Sequence, residues 1–437
     1  MDDPEEAGVI DPSAPDDPAT REAAYEKFVW DNLRPNYIGN FVHGMLGMTG
    51  FRLINAPTFM PAYLHLISGS NTIVGLGLAL QQMGGIVSPL VAGANLEHRV
   101  RIMPAAVLLG SLGRLAILGM ALAGWFLTGS ALMTSLLAML FMFGIFMGAQ
   151  RVAFNLLMSK VIPISLRGRL QAWRNAIGGL IAAVLAYVSG KYLIGANVFG
   201  NGYSTTFVLA FFLTSAGLWF LQFQIREPEP PTIRAQARLR DRLRELPALI
   251  AADPGYGWFL VVQMLAASAR IATPFYILHV GRQMHLDGPT LGLLSLAYLG
   301  ADTVANIGWG YLGDRKGFRP VLLFALVGWI AATLLLMTLH MPALVFLAFV
   351  LLGGSQAGYM MAANTMILEF GHRDDLSMRI AISATAEGIT ATLSPLIGGA
   401  VADLFGYSVV FGASLGLLGA ALVMLLLAVD DPRTRRA

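Results

Sequence analysis

The chain has 437 residues, 56% of them hydrophobic and 13% charged, with a formal charge of +3 and a mean hydropathy of +0.64. Soluble domains carry about 25% charged residues, so an ordinary globular protein is excluded, and nothing in the charge balance points to nucleic acid. Cysteine is absent, which rules out disulfides, thiolate metal sites and thiol nucleophiles.

Residues 1–36 are acidic and proline-rich and contain no short apolar core ending in a small-residue cleavage site. They predict a disordered cytoplasmic tail. Apolar runs able to cross about 30 Å of hydrocarbon follow at roughly 38–66, 71–95, 102–127, 131–157, 169–194 and 204–225. Six more lie at roughly 256–281, 288–312, 319–340, 343–369, 377–402 and 405–429. Backbone groups find no water in lipid, so each run is expected to be helical.

The predicted fold is an all-α membrane protein of twelve transmembrane helices in two pseudo-symmetric six-helix bundles, 37–225 and 255–429. Between them, residues 226–254 break helix with prolines and then show amphipathic spacing in ARLRDRLREL, which predicts a cytoplasmic linker with a short surface helix. A basic tail occupies 430–437.

Orientation follows from the loops. One set carries Arg99, Arg101, Arg167, Arg169, Arg226, Arg244, Arg315, Lys316, Arg319, Arg373 and Arg379, whereas the opposite set carries Lys191 and Arg282. Positive charge stays inside, so both termini are expected in the cytoplasm, with the chain multi-pass in the inner, or plasma, membrane.

GYLGDRKGFR sits in the short loop after the eighth run and supplies Gly310, Asp314, Arg315, Gly317 and Arg319. In the first half, Gly93 holds the equivalent glycine and Glu97 stands where the aspartate would be. Glycines let helices approach and turn, and a carboxylate at the membrane surface can dock on a helix N-terminus or an arginine. This loop resembles the signature of the major facilitator superfamily, as do VIPISLRGRLQAW and SPLIGGAVADLFGY elsewhere. The resemblance implies a transporter in which Asp314 and Arg315 latch the outward-facing state. The Gly-Pro pair found in the fifth span of many drug antiporters is missing from IGGLIAAVLAYVSG.

Arg52 and Arg270 stand at corresponding places in the two halves, each near the middle of its run. An arginine at the bilayer centre costs about 2.5–3.5 kcal/mol on insertion scales, so each must face a cavity or a partner. The resemblance implies that the first and seventh helices line the central path, where two guanidiniums would form a divided clamp for an anion. Asn55, Gln82, Gln150, Arg151, Gln263 and Gln356 are further candidates for substrate contact. Asp302 and Glu387 are the carboxylates expected near mid-membrane. Each is placed either to carry a proton or to neutralise an arginine permanently. Arg114 is expected to brace the first bundle, and His43 to be a hydrogen-bonded structural residue.

These features predict a secondary active transporter, symporter or antiporter, moving a small organic anion by alternating access as a monomer in the lipid bilayer. The alternative is proton-driven export of amphipathic or cationic compounds. No phosphate-cradling loop, metal-ligand cluster or nucleophile motif is present, so no enzyme activity, cofactor or metal is expected.

Overall fold

A computed structural model describes residues 18–96, 99–229, 253–338, 341–370 and 376–429. The first part contains α1 (Pro18–Asp31), α2 (Leu33–Asn55), α3 (Phe59–Ser68), α4 (Asn71–Leu96), α5 (Met103–Phe126), α6 (Gly129–Val161), α7 (Ile164–Val188) and α8 (Gly202–Gln224). The second contains α9 (Pro254–Ser268), α10 (Phe275–Gln283), α11 (Gly288–Lys316), α12 (Phe318–Thr338), α13 (Pro342–Glu369), α14 (Leu376–Phe405) and α15 (Tyr407–Ala428). No strand occurs among the described residues. Eleven helical runs among them are long and apolar enough to cross a membrane.

The run predicted at 38–66 is delivered as α2 and α3, interrupted at Ala56, Pro57 and Thr58. Likewise α9 passes through a single tight turn, Ala269–Ala272, before α10 begins after Pro274. Both interruptions fall at prolines, which lack the N–H that would continue the helical ladder.

The tail expected to be disordered over 1–36 is corrected in its second half: Pro18–Asp31 forms a helix, and the Tyr25 hydroxyl donates to the Lys160 carbonyl at 2.9 Å. Residues 1–17, most of the 226–254 linker with its expected surface helix, and the tail at 430–437 lie outside the described residues. Where the chain leaves α8, the Glu227 carboxylate accepts from the backbone N–H of Ile102 and Met103 at 2.7 and 2.9 Å and pairs with Lys160 at 2.9 Å. A carboxylate there stabilises the N-terminus of α5 and pins the exit of α8 beside it.

Within the first part, α4 packs along α6, and α2 along α7 and α8. Glycine makes the α4–α6 contact possible. A Cβ on Gly144 would overlap the Gln81 carbonyl oxygen, and one on Gly84 would meet the backbone of α6 at 2.6–2.7 Å. Gly144→Val is therefore expected to destabilise the fold by at least about 1–3 kcal/mol, since the clash is with backbone that cannot rotate away. Thermal unfolding in detergent measures this, and an unchanged midpoint would contradict the packing described.

Most of the contact between the parts comes from two helix pairs, α4 with α14 and α7 with α11, and α3 also meets α10. Their closest approaches again involve glycine: Gly75 against Pro395, Gly399 against Asn71, and Gly190 against Gly288 and Gly292. All of these lie toward the end of the molecule that carries the turn between α3 and α4.

Candidate functional site

The interruptions put the two arginines beside irregular backbone. The Arg52 carbonyl accepts the last helical hydrogen bond of α2, from Ala56, and Arg270 lies in the tight turn after α9. Each guanidinium has found a carboxylate. Arg52 Nη2 pairs with Asp302 at 2.6 Å, while its Nη1 donates to the Thr303 hydroxyl at 2.9 Å. Because α2 and α11 belong to different parts, this ion pair ties the end of α2 to the middle of α11. Thr58 and Ser295 add a hydroxyl–hydroxyl bond of 2.6 Å across the same seam.

Arg270 Nη2 pairs with Glu387 at 2.8 Å, and Gln263 Nε2 donates to the other oxygen of that carboxylate at 3.4 Å. This second pair lies wholly within the second part, between the α9–α10 turn and α14. Tyr359 offers its ring to the Arg270 guanidinium at 5.3 Å, and Arg270 Nε is buried without a partner. The side chains of both pairs are 15–18% exposed, so water screens them weakly. Tyr298 lies within electrostatic range of Arg52, Asp302 and Arg270. The two guanidiniums thus meet carboxylates, and the bare anion clamp predicted from sequence is not what the geometry brings together.

A cavity of about 360 Å³ opens beside the second pair. Asn55, Gln81, Gln82, Arg151 and Arg270 supply its polar wall, and Phe143 and Met147 its apolar one. Arg52 does not line it. Gln81 Nε2 donates to Asn55 Oδ1 at 2.6 Å, which fixes the amide at the end of α2 against α4. Arg151 is exposed in this wall and makes no ion pair among the described residues. The volume falls within the roughly 300–1,000 Å³ typical of small-molecule sites.

Other predicted residues fall elsewhere. Gln150 is buried, its Oε1 without a partner near Gly113 of α5, so it packs inside the first part and does not line the cavity. Gln356 lines a small crevice with Tyr298 and Trp329. Arg114 is buried and donates to the carbonyls of Thr214 and Gly110 at 2.8 and 2.7 Å, in keeping with the bracing role expected of it. His43 is buried beside Phe154, with Nε2 unpartnered.

In the signature loop, Gly317 adopts a positive φ of 85° that favours glycine, and Arg315 stacks on Tyr311 of its own helix at 4.1 Å. Arg319 donates to the carbonyls of Leu425, Leu426 and Val429, a cation on the C-terminal end of α15. Gly93 and Gly310 face open space; Asp314 ends α11, and Glu97 lies outside the described residues.

The sequence reading missed Asp403. Near the end of α14 its carboxylate accepts five hydrogen bonds from the first turn of α4: Ser70 Oγ at 3.0 Å, Asn71 N at 3.0 Å, Asn71 Nδ2 at 2.8 Å, Thr72 N at 2.8 Å and Thr72 Oγ1 at 2.7 Å. The Tyr407 hydroxyl donates to Asn71 Oδ1 at 2.7 Å. A residue of one part thus caps a helix of the other, meeting both its free N–H groups and its dipole. An acidic residue at the edge of an apolar run, SPLIGGAVADLFGY, was the available signal.

The sequence profile of the Major Facilitator Superfamily matches residues 258–437. The multidrug resistance protein MdtG of Serratia proteamaculans is 31% identical over 131 residues, 30% of this chain and 32% of that protein. MdtG of Citrobacter koseri is 31% identical over 178 residues, covering 39% and 42%. The chain therefore spans about a third to two fifths of the length of these relatives.

Among solved structures, the D-xylose-proton symporter superimposes with a TM-score of 0.70 at 14% identity, covering 92% of this chain and 99% of the other. The human organic anion transporter MFSD10 gives 0.59 at 15% identity, covering 90% and 99%. At these identities the structures speak for the fold alone. The profile match over 258–437 and the partly covered relatives make this chain similar to the major facilitator superfamily of membrane transporters, and its fold is the one those solved structures share.

Proposed function

We propose that the chain is a proton-driven secondary transporter that exports amphipathic small molecules across the cytoplasmic membrane by alternating access. The observation that carries this reading is the pairing of both arginines at the helix breaks, Arg52 with Asp302 and Arg270 with Glu387. A carboxylate that can exchange its arginine for a proton as the cavity opens is a coupling element, whereas two neutralised guanidiniums hold little attraction for an anion. The named activity of the MdtG relatives, multidrug resistance, points the same way.

In this reading α2 with α3 forms a first span and α9 with α10 a seventh, completing two six-helix bundles related by pseudo-symmetry. The positive charge of the loops favours both termini in the cytoplasm. The end closed by Asp403 and the glycine contacts then faces outward, and the cavity faces inward.

A second reading, export or uptake of an organic anion, is favoured by one observation, the exposed Arg151 in the cavity wall, which has no ion pair among the described residues. Proteoliposomes with an imposed pH gradient separate the two. Gradient-driven movement of tetraphenylphosphonium, unaffected by Arg151→Gln, is expected under the first reading. Movement of glycerol 3-phosphate that Arg151→Gln abolishes would establish the second and overturn the first.

A further inference from the structure

The central cavity is smaller than a space on the flank of the first part. A groove of about 620 Å³ runs along the flank of the first part between α4 and α5, both of which pack on α6. Phe141, Ile145 and Phe146 of α6 form its floor, with Val87 on one wall and Leu108 on the other. Val87 is 57% and Leu108 60% exposed, so the groove opens sideways, toward lipid. The same stretch of α6 turns Phe143 and Met147 to the central cavity, so one helix separates the two spaces.

Polarity in the groove is confined. Arg99, exposed, stands at the end where α4 leaves the apolar zone, together with Asn95. Ser88 lines the groove with its hydroxyl buried and unpartnered. From Met83 to Leu96 the wall runs about 20 Å at the α-helical rise, long enough for an extended acyl chain.

We propose that this groove is a binding site for an anionic phospholipid, one acyl chain in the trough and the phosphate on Arg99. Selectivity must come from the headgroup, because any acyl chain leaving the bilayer for the groove exchanges one apolar environment for another. The Arg99 guanidinium at one end of this mostly apolar channel supplies it: its contact with phosphate is charge-assisted, and a headgroup with no cation of its own leaves that phosphate charge for the guanidinium to neutralise. The inference is independent of which substrate the central cavity carries.

Native mass spectrometry of the purified full-length protein, exposed in detergent to equal amounts of phosphatidylglycerol and phosphatidylcholine, tests it. Phosphatidylglycerol is expected to be retained at least about tenfold over phosphatidylcholine, with Arg99→Gln equalising the two. Val87→Trp, or Leu108→Trp on the opposite wall, should displace both, and a thermal melt identifies whichever variant keeps its fold. Equal retention by the unaltered protein, or phosphatidylglycerol retained undiminished in a folded tryptophan variant, overturns the proposal. Release of the lipid by tetraphenylphosphonium in the Arg151→Gln protein would instead assign the groove to transported compounds and also overturn it.

Discussion

Glu387→Gln is expected to abolish accumulation driven by a pH gradient, by about a hundredfold or about 2.7 kcal/mol, while exchange of labelled for unlabelled substrate without a gradient continues. Glutamine preserves the volume of the side chain and its contact with Gln263, but it cannot titrate. In the described state Glu387 neutralises Arg270 in a pair whose side chains are 18% and 15% exposed. Removing one partner of a partly buried pair leaves a poorly compensated charge, at a cost below the roughly 3–5 kcal/mol of a fully buried one. The variant should therefore also melt at a lower temperature. Asp at 387 keeps the charge and restores part of both properties. Full gradient-driven accumulation by Glu387→Gln would show that this carboxylate carries no proton.

Asp403→Ala is expected to shift the molecule toward a state open at the end that is closed here. The carboxylate gathers five hydrogen bonds on the first turn of α4, across the seam between the parts. Loss of a helix cap costs about 0.5–2 kcal/mol, and a hydrogen bond to a charged group contributes about 1.5–3 kcal/mol. A net change of about 2–3 kcal/mol would move the equilibrium by about 30- to 150-fold. The chain has no cysteine, so Leu66→Cys and Leu404→Cys, both highly exposed and near this end, provide a clean spin-label pair. A longer distance population should appear in the alanine variant. An unchanged distribution would mean that the glycine contacts alone, Gly75 on Pro395 and Gly399 on Asn71, hold the end shut.

Hydropathy alone locates most helices well: the run read at 102–127 is α5 at Met103–Phe126, and that at 204–225 is α8 at Gly202–Gln224. Apolar length sets helix length in a bilayer, so the signal is local. Prolines 57 and 274 mark where helices break for the same reason. Partnership is another matter. That Arg52 pairs with Asp302 of α11, rather than facing Arg270, depends on how α2 and α11 rotate against each other, which glycine and hydroxyl contacts along the seam decide.

Gln150 shows the limit in the opposite direction. It neighbours Arg151 in sequence, yet a helix turns about 100° per residue, and only Arg151 reaches the cavity. Asp403 and Asp314 are both acids at a membrane edge, and either could seek a helix N-terminus. Choosing between them requires knowing which helix start lies near which carboxylate, and that is tertiary information.

Proton-driven export requires that Asp302 and Glu387 hold protons when freed of their arginines and give them up, re-forming the two pairs, when a substrate binds. Addition of tetraphenylphosphonium to the purified protein in weakly buffered detergent solution, followed with a pH indicator, tests this directly. The account predicts proton release from the unaltered protein and none from Asp302→Asn/Glu387→Gln. Ligand binding with no proton release, or equal release from both proteins, would contradict it.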